Sequence, residues 1–489
     1  MNRRGRVLVT IGALLASLFV GAPSPTRAVA DTYYVGEEIG AGGSCSAPDF
    51  GVDDHMGNAG DAIQAALDDA DGGNDIVVIC AGTYELDGEL VVDYNVTIQG
   101  VGASQVTLTR DPEYAGRLVI VHNREVTISG LTMSGASNTD EGNGAAFLGW
   151  SGAAITVSNC VFSDNYAEYE GGAIWMDAGS TLTISNSTFT GNSSTDGGAI
   201  MMNSDTELVI TGSRFTDNHA VGDIDVEDPE GGAIYAFQDL GMVLEVLEIS
   251  NSTFTGNTSV EDGGAVYADY TLTIDSSSFT DNHAIGESDT TEGGAVYVNE
   301  ADEVVITGSS FTANSAYEDG GAIALDDLIP EVDGVGGFTL VGNSFSRNQA
   351  KGDSGADGGA VFFSARDVEL TNNSFTRNSA ERSGGAVYGG AAMEGSSPYF
   401  AYQFIFARNA FTGNRSSTYG GALAVETTPV AGSIGRNTFR SNVNRRGGAD
   451  LAQIGEVGAC STARSRVARA WRKSGARDVI SVCLVPPPG

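Results

Sequence analysis

Residues 186–203 read NSTFTGNSSTDGGAIMMN, and near copies of this phrase return down most of the chain. A Phe-x-x-Asn element occurs ten times, first at Phe162 and last at Phe439, and each copy is followed by Gly-Gly-Ala. Successive Phe residues lie 25 to 39 positions apart. A period that drifts this way, with its slack in one or two loops, fits a solenoid better than a propeller. Short alternating runs such as TLTIS (181–185), TLTID (271–275) and EVVIT (303–307) precede each Phe, and alternation over five residues means a strand with one buried face. About three short strands per period then predict an all-β, right-handed parallel β-helix. Each strand would pair with its equivalent one coil away, roughly 4.8 Å along the axis.

Stacking like on like gives the phrase a mechanical meaning. Phe189, Phe215, Phe254, Phe279 and Phe311 are expected to form a ring ladder in the lumen. Asn192, Asn218, Asn257, Asn282 and Asn314 are expected to pass amide hydrogen bonds from coil to coil. The glycine pair permits backbone angles or approaches that a β-carbon forbids. The aliphatic residue after the Ala faces inward in nine copies; the tenth has Asp450, where the stack is expected to end.

The ends differ from the middle. Arg3, Arg4 and Arg6 precede an apolar run from Val7 to Val20, and Ala28-Val29-Ala30 is a small-x-small cleavage site, so residues 1–30 read as a secretory signal peptide rather than a twin-arginine leader. No later stretch has the length of a transmembrane helix. Residues 31–75 are expected to cap the first coil, with Ile63, Ala66, Leu67 and Ala70 on one face of a short helix, and the solenoid to occupy 76–455. Residues 456–489 read as a basic C-terminal cap with a helix over STARSRVARAWRKSGA.

Charge and cysteines bound the setting. Four of the 25 basic residues lie in the first 30, leaving 21 against 63 acidic ones. That balance argues against nucleic acid or anionic membrane surfaces as partners. In an exported chain Cys45–Cys80 and Cys460–Cys483 would close the two ends as disulfides, and Cys160, inside TVSNCVF, would be a small buried thiol.

Two resemblances follow from these motifs. NAGDAIQAALDDA…DIVVICAGTYEL…NVTIQGVGASQVTL resembles the opening of pectin-lyase-like β-helix proteins. The paired Phe-x-x-Asn and Gly-Gly-Ala-aliphatic repeats over 162–449 are similar to those of polymorphic outer-membrane proteins, the chlamydial autotransporter family of adhesin passengers. About forty residues follow the last repeat, too few for an autotransporter's membrane barrel. The resemblance therefore implies a passenger-like solenoid without that anchor.

Chemistry is sought at the positions that do not repeat. The residue before Gly-Gly-Ala is acidic in seven successive copies: Glu170, Asp196, Glu230, Asp262, Glu292, Asp319 and Asp357. The simpler reading of this row is solvated acidic loop tips. Calcium is the sharper one, with Asp223, Asp225, Glu227, Asp228 and Glu230 as oxygen ligands. The residue two after the Ala gives a second row, including Trp175, Tyr235, Tyr267, Tyr297, Phe362 and Tyr388. Alternation points it outward, either as a platform for sugar rings or a protein, or as a covered stacking ladder. The four histidines have no metal-ligand spacing, and His219 and His283 simply follow a repeat Asn. No nucleophile motif and no neighbouring carboxylates at the third Phe-x-x-Asn position are found. The expectation is a secreted, non-catalytic β-helix that binds an extracellular glycan or protein, adhesin-like or structural. The rival is a calcium-dependent polysaccharide lyase or hydrolase.

Overall fold

A computed structural model describes residues 30–484 except 38–42, 53–57, 113, 140–141, 223–227, 239–245, 270, 289, 300, 302, 327–336, 353–354, 366, 391–402, 426–430, 446–450 and 457–478. The chain winds as a right-handed parallel β-helix, as the repeat predicts. One coil shows the plan. Thr181–Ser185, Thr188–Thr190, Ser193–Ser194 and Ile200–Met202 join four different parallel sheets, of 15, 13, 11 and 14 strands in that order. Four strands per coil replace the expected three. The extra one, two residues long just after the Asn, is too short to carry an alternation that could betray it.

The lumen is built as the phrase requires. The ten repeat phenylalanines stack from Phe162 to Phe439, with neighbouring centroids 4.7 Å apart at one end of the row and 4.9 Å at the other. Their planes stay nearly parallel; Phe215 and Phe254 differ by 2°. Each ring is buried, contributing about 1.5–3 kcal/mol by leaving water. Beside them runs the asparagine ladder. Asn282 Nδ2 donates to Phe254 O at 3.1 Å and to Asn314 Oδ1 at 3.0 Å, while its Oδ1 accepts from Asn257 N and Nδ2. A second ladder accompanies it at the preceding turn. Backbone amides of Ser187, Ser213, Ser252 and Ser277 each donate to the next coil's serine hydroxyl, and Asn343, Asn373 and Asn409 continue the row. Cys160 stands at the head of that row, buried, donating to Ser158 O.

The glycine pair is explained at Gly197 and Gly198. Gly197 has φ +60, and a β-carbon there would lie 2.2 Å from Ile200 O. A β-carbon on Gly198 would lie 2.3 Å from Gly232 O of the next coil. Both are incompatible with any side chain.

At the N-terminal end, helix α1 (Ala59–Asp69) is capped by Asn58, whose side chain accepts from Asp61 N, and buries Ile63, Ala66 and Leu67. Strand Thr32–Gly36 already belongs to the first sheet, paired with Asp75–Ile79, so the solenoid begins before residue 76. Cys45 and Cys80 form a disulfide. The expected Cys460–Cys483 bridge and the C-terminal helix lie outside the described residues. The stack does not stop at the tenth repeat: the fourth sheet runs on through Leu451–Glu456 to Val479–Leu484.

Candidate functional site: an acid and tyrosine strip

The outer face of the fourth sheet collects the non-repeating chemistry. Pairing places Trp175, Met201, Tyr235, Tyr267, Tyr297 and Ala324 in one row along the axis, on the side away from the lumen. The row points outward, but little of it is exposed. Trp175, Tyr267, Tyr297 and Tyr388 are buried, and Tyr235 and Phe362 are half-buried. The rings cover one another: Tyr235 and Tyr267 have centroids 4.9 Å apart, Tyr267 and Tyr297 5.3 Å. The row is thus a ladder, with accessible surface left at Tyr235 and Phe362. Trp150 extends the strip at its N-terminal end, 47% exposed, 6.0 Å from the Trp175 ring.

Carboxyl groups line both margins of this row. On one side stand the acids before Gly-Gly-Ala. They are not solvated tips: Asp262 and Asp319 are buried and Asp357 is 0% exposed. The aspartates hold the turns together. Asp196 Oδ1 accepts from Glu230 N at 3.1 Å, Asp262 Oδ1 from Glu292 N at 2.6 Å, and Asp319 Oδ1 from Asp357 N at 2.6 Å. Asp357 also pairs with the Arg382 guanidinium and accepts from Ser383 N. The longer glutamates turn toward the rings. Glu170 Oε2 accepts from Trp175 Nε1 at 2.7 Å, and Glu230 accepts from the Tyr235 hydroxyl. Glu292 Oε2 is buried without a hydrogen-bond partner among the described residues.

On the other margin Asp269 and Asp326 lie two residues past the ring row, on the same face, with Asn299 between them in register. Tyr297 Oη donates to Asp326 Oδ2 at 3.4 Å. Back at the first margin, Glu261 and Glu318, directly before Asp262 and Asp319, are also buried. Hydroxyls of Ser288 and Thr290 bond Glu261 and tie the 287–292 loop to it. These four acids escaped the sequence reading, which followed only the residue before Gly-Gly. The one available signal was a strand in which Asp follows an outward ring position, as in VYAD (266–269).

So many acids in one place cannot all ionise cheaply. Burial, reinforced by Asp262, Asp196 and Asp269, pushes the Glu230 carboxyl up to about 9. Burial also holds Asp262, Glu292 and Asp319 well above the usual carboxylate range, with neighbouring acids adding to it. The Tyr235, Tyr267 and Tyr297 phenols are raised by the same desolvation. At Glu230, Asp262, Glu292 and Asp319 the strip therefore favours protonated carboxyls, which with the tyrosine hydroxyls can donate as well as accept hydrogen bonds.

The expected calcium loop gains nothing from this geometry. Asp223, Asp225 and Glu227 lie outside the described residues, Asp228 is exposed, and Glu230 turns to Tyr235. Among the described residues no three acids, histidines or cysteines are placed to hold a metal ion. No helix of the described residues is long and apolar enough to cross a membrane.

Comparison with known proteins agrees on the architecture. A profile of the right handed beta helix region matches residues 94–279. Among solved structures, the chain is similar to the catalytic unit of a thermostable GH87 alpha-1,3-glucanase from Streptomyces thermodiastaticus, at 13% identity and a TM-score of 0.43 over 88% of this chain and 66% of that one. It is similar also to the A-module of a mannuronan C-5 epimerase from Azotobacter vinelandii, at 13% identity and a TM-score of 0.34, covering 88% and 96% of the two chains. The chain thus spans just under two thirds of the glucanase unit's length. Similarity at this level carries no residue role across. No curated protein sequence matches the chain.

Proposed function

We propose that the chain is an exported β-helix that binds an extracellular glycan along the acid and tyrosine strip. The observation that carries this reading is the pairing of an aromatic row with carboxyls on both margins, those of Glu230, Asp262, Glu292 and Asp319 held toward the protonated form, at a spacing set by the coil repeat. Rings offer apolar faces to sugar C–H surfaces, and protonated carboxyls and phenols meet hydroxyls as both donors and acceptors. The formal charge of −38 disfavours a polyanionic polymer, so a neutral glycan fits best. Export rests on the signal-peptide pattern of residues 1–30, and a place at the cell surface rests only on the resemblance of the 162–449 repeats to those of autotransporter passengers. Glycan-array and calorimetric binding with neutral oligosaccharides tests this; binding confined to polyuronates, or to no glycan, overturns it.

Hydrolysis is the second reading, and one feature favours it. Glu230 keeps its proton to about 9, the state a general acid needs at a glycosidic oxygen. If the strip hydrolyses its glycan, reducing ends appear over hours and Glu230→Gln abolishes them while binding persists. The lyase reading has less to stand on, because Arg382, the basic group bordering the strip, is bonded to Asp357.

A further inference from the structure

The outer face of the third sheet carries a different constellation. The residue after each repeat Asn stacks in one row there, His219, Thr258, His283, Ser315 and Gln349. His283 Nδ1 lies 2.8 Å from Ser315 Oγ, and His283 Nε2 lies 3.2 Å from Asp281 Oδ1. Lys351 Nζ donates to Ser315 Oγ at 2.7 Å.

Donor capacity fixes the direction of the protons. The Asp281 carboxylate only accepts, so His283 Nε2 carries the hydrogen and Nδ1 of the neutral ring accepts. The Lys351 ammonium only donates. Ser315 Oγ therefore accepts from Lys351 and donates to His283, a hydroxyl polarised from both sides. Burial lowers the His283 imidazole below its usual 6.5, with Lys351 adding to the effect and Asp281 opposing it, and so keeps the ring neutral. Asp281 takes φ +58 at the third Phe-x-x-Asn position, which turns it out beside His283. Sequence reading passed over this set because its members lie on two successive coils and a third.

We propose that Ser315 is an activated nucleophile and that Asp281, His283, Ser315 and Lys351 form an acyl-transfer site for small carboxylic esters. Ser315 Oγ attacks the ester carbonyl carbon as its proton passes to His283 Nδ1. The bond to the leaving alcohol breaks, and the imidazolium returns that proton to the alcohol oxygen. Water repeats the two transfers at the acyl-serine, releasing the carboxylic acid and restoring the hydroxyl. The Lys351 ammonium stands beside the carbon under attack, where negative charge develops on oxygen. Asp281 is a positioning residue that holds the tautomer. Ser315 is 5% exposed and lies beneath the exposed Lys351 chain, so small esters are the class admitted.

The row contains its own comparison. His219 Nδ1 lies 2.8 Å from Thr258 Oγ1 after the same Asp-Asn-His-Ala run, but Ile285 occupies the position that Lys351 holds beside Ser315. The cluster sits on another sheet than the acid and tyrosine strip, and its chemistry stands whether or not a glycan binds there.

The test uses the full chain with a fluorophosphonate probe, peptide mapping by mass spectrometry, and p-nitrophenyl acetate turnover. Labelling is expected on Ser315 and not on Thr258, and Ser315→Ala removes both label and turnover. His283→Gln, which keeps a hydrogen bond to the hydroxyl but removes the base, slows labelling roughly 100-fold with the melting temperature unchanged. Asp281→Asn slows it and Asp281→Glu restores most of the rate. No label on Ser315, or an undiminished rate in His283→Gln, overturns the proposal.

Discussion

Asn282 shows how much one side chain carries in this fold. It is 0% exposed, and its amide satisfies four groups on the two flanking coils. Asn282→Ala removes one partner each from the Phe254 carbonyl, Asn314 Oδ1 and Asn257 Nδ2, and the only side-chain acceptor of the Asn257 backbone amide, in a dry site. A loss of about 3 kcal/mol is expected, read as a lowered denaturant midpoint; a change within about 0.5 kcal/mol contradicts the ladder account. Glu230 behaves differently because its proton is at stake. Its folded value, about 9, lies above the ordinary glutamate value of 4.5. The raised value means its contribution is fully present below 4.5 and is lost as pH rises through about 9. Melting temperature should therefore fall across that window, and Glu230→Gln should flatten the fall. A wild-type profile that rises with pH over that interval would show Glu230 to be charged. Phe189 and Asn192 were legible because stacking forces identical residues to recur. The burial of Asp262 was not, because nothing in its neighbours along the chain says what covers it.

At the scale of the element, the Gly-Gly turn is the joint between the third and fourth sheets. Gly198→Ala drives a β-carbon into Gly232 O and strains the coil contact, since the atom it meets is backbone and cannot swing away. A cost of about 2 kcal/mol or more is expected by thermal or denaturant unfolding; a neutral substitution contradicts the close-approach account. The first two sheets were readable from alternating runs such as TLTIS, which declare a buried face in five residues. Two-residue strands such as Ser193–Ser194 declare nothing by period, and only the pairing of coil on coil defines them. The same limit hid the Asp281, His283 and Ser315 set. Its spacing of 32 residues between His283 and Ser315 becomes contact only when the coil length is known.

For the whole molecule, the charge of −38 and the uniform lumen assign separate tasks to inside and outside. The inside repeats to hold the solenoid; the outside varies, and its acids gather where the rings of the fourth sheet run. The predicted outward rows located that face, while the carboxyls of its far margin, Asp269 and Asp326, emerged from strand register alone. The most direct test is calorimetric titration of neutral oligosaccharides into wild type, Trp150→Ala and Tyr235→Ala, two of the positions where ring surface remains accessible. Binding is predicted for wild type, with each substitution weakening it roughly tenfold, or about 1.4 kcal/mol, and with the melting temperature unchanged in Trp150→Ala. Undiminished affinity in both variants, or no binding of any neutral glycan, would contradict a glycan site on this face.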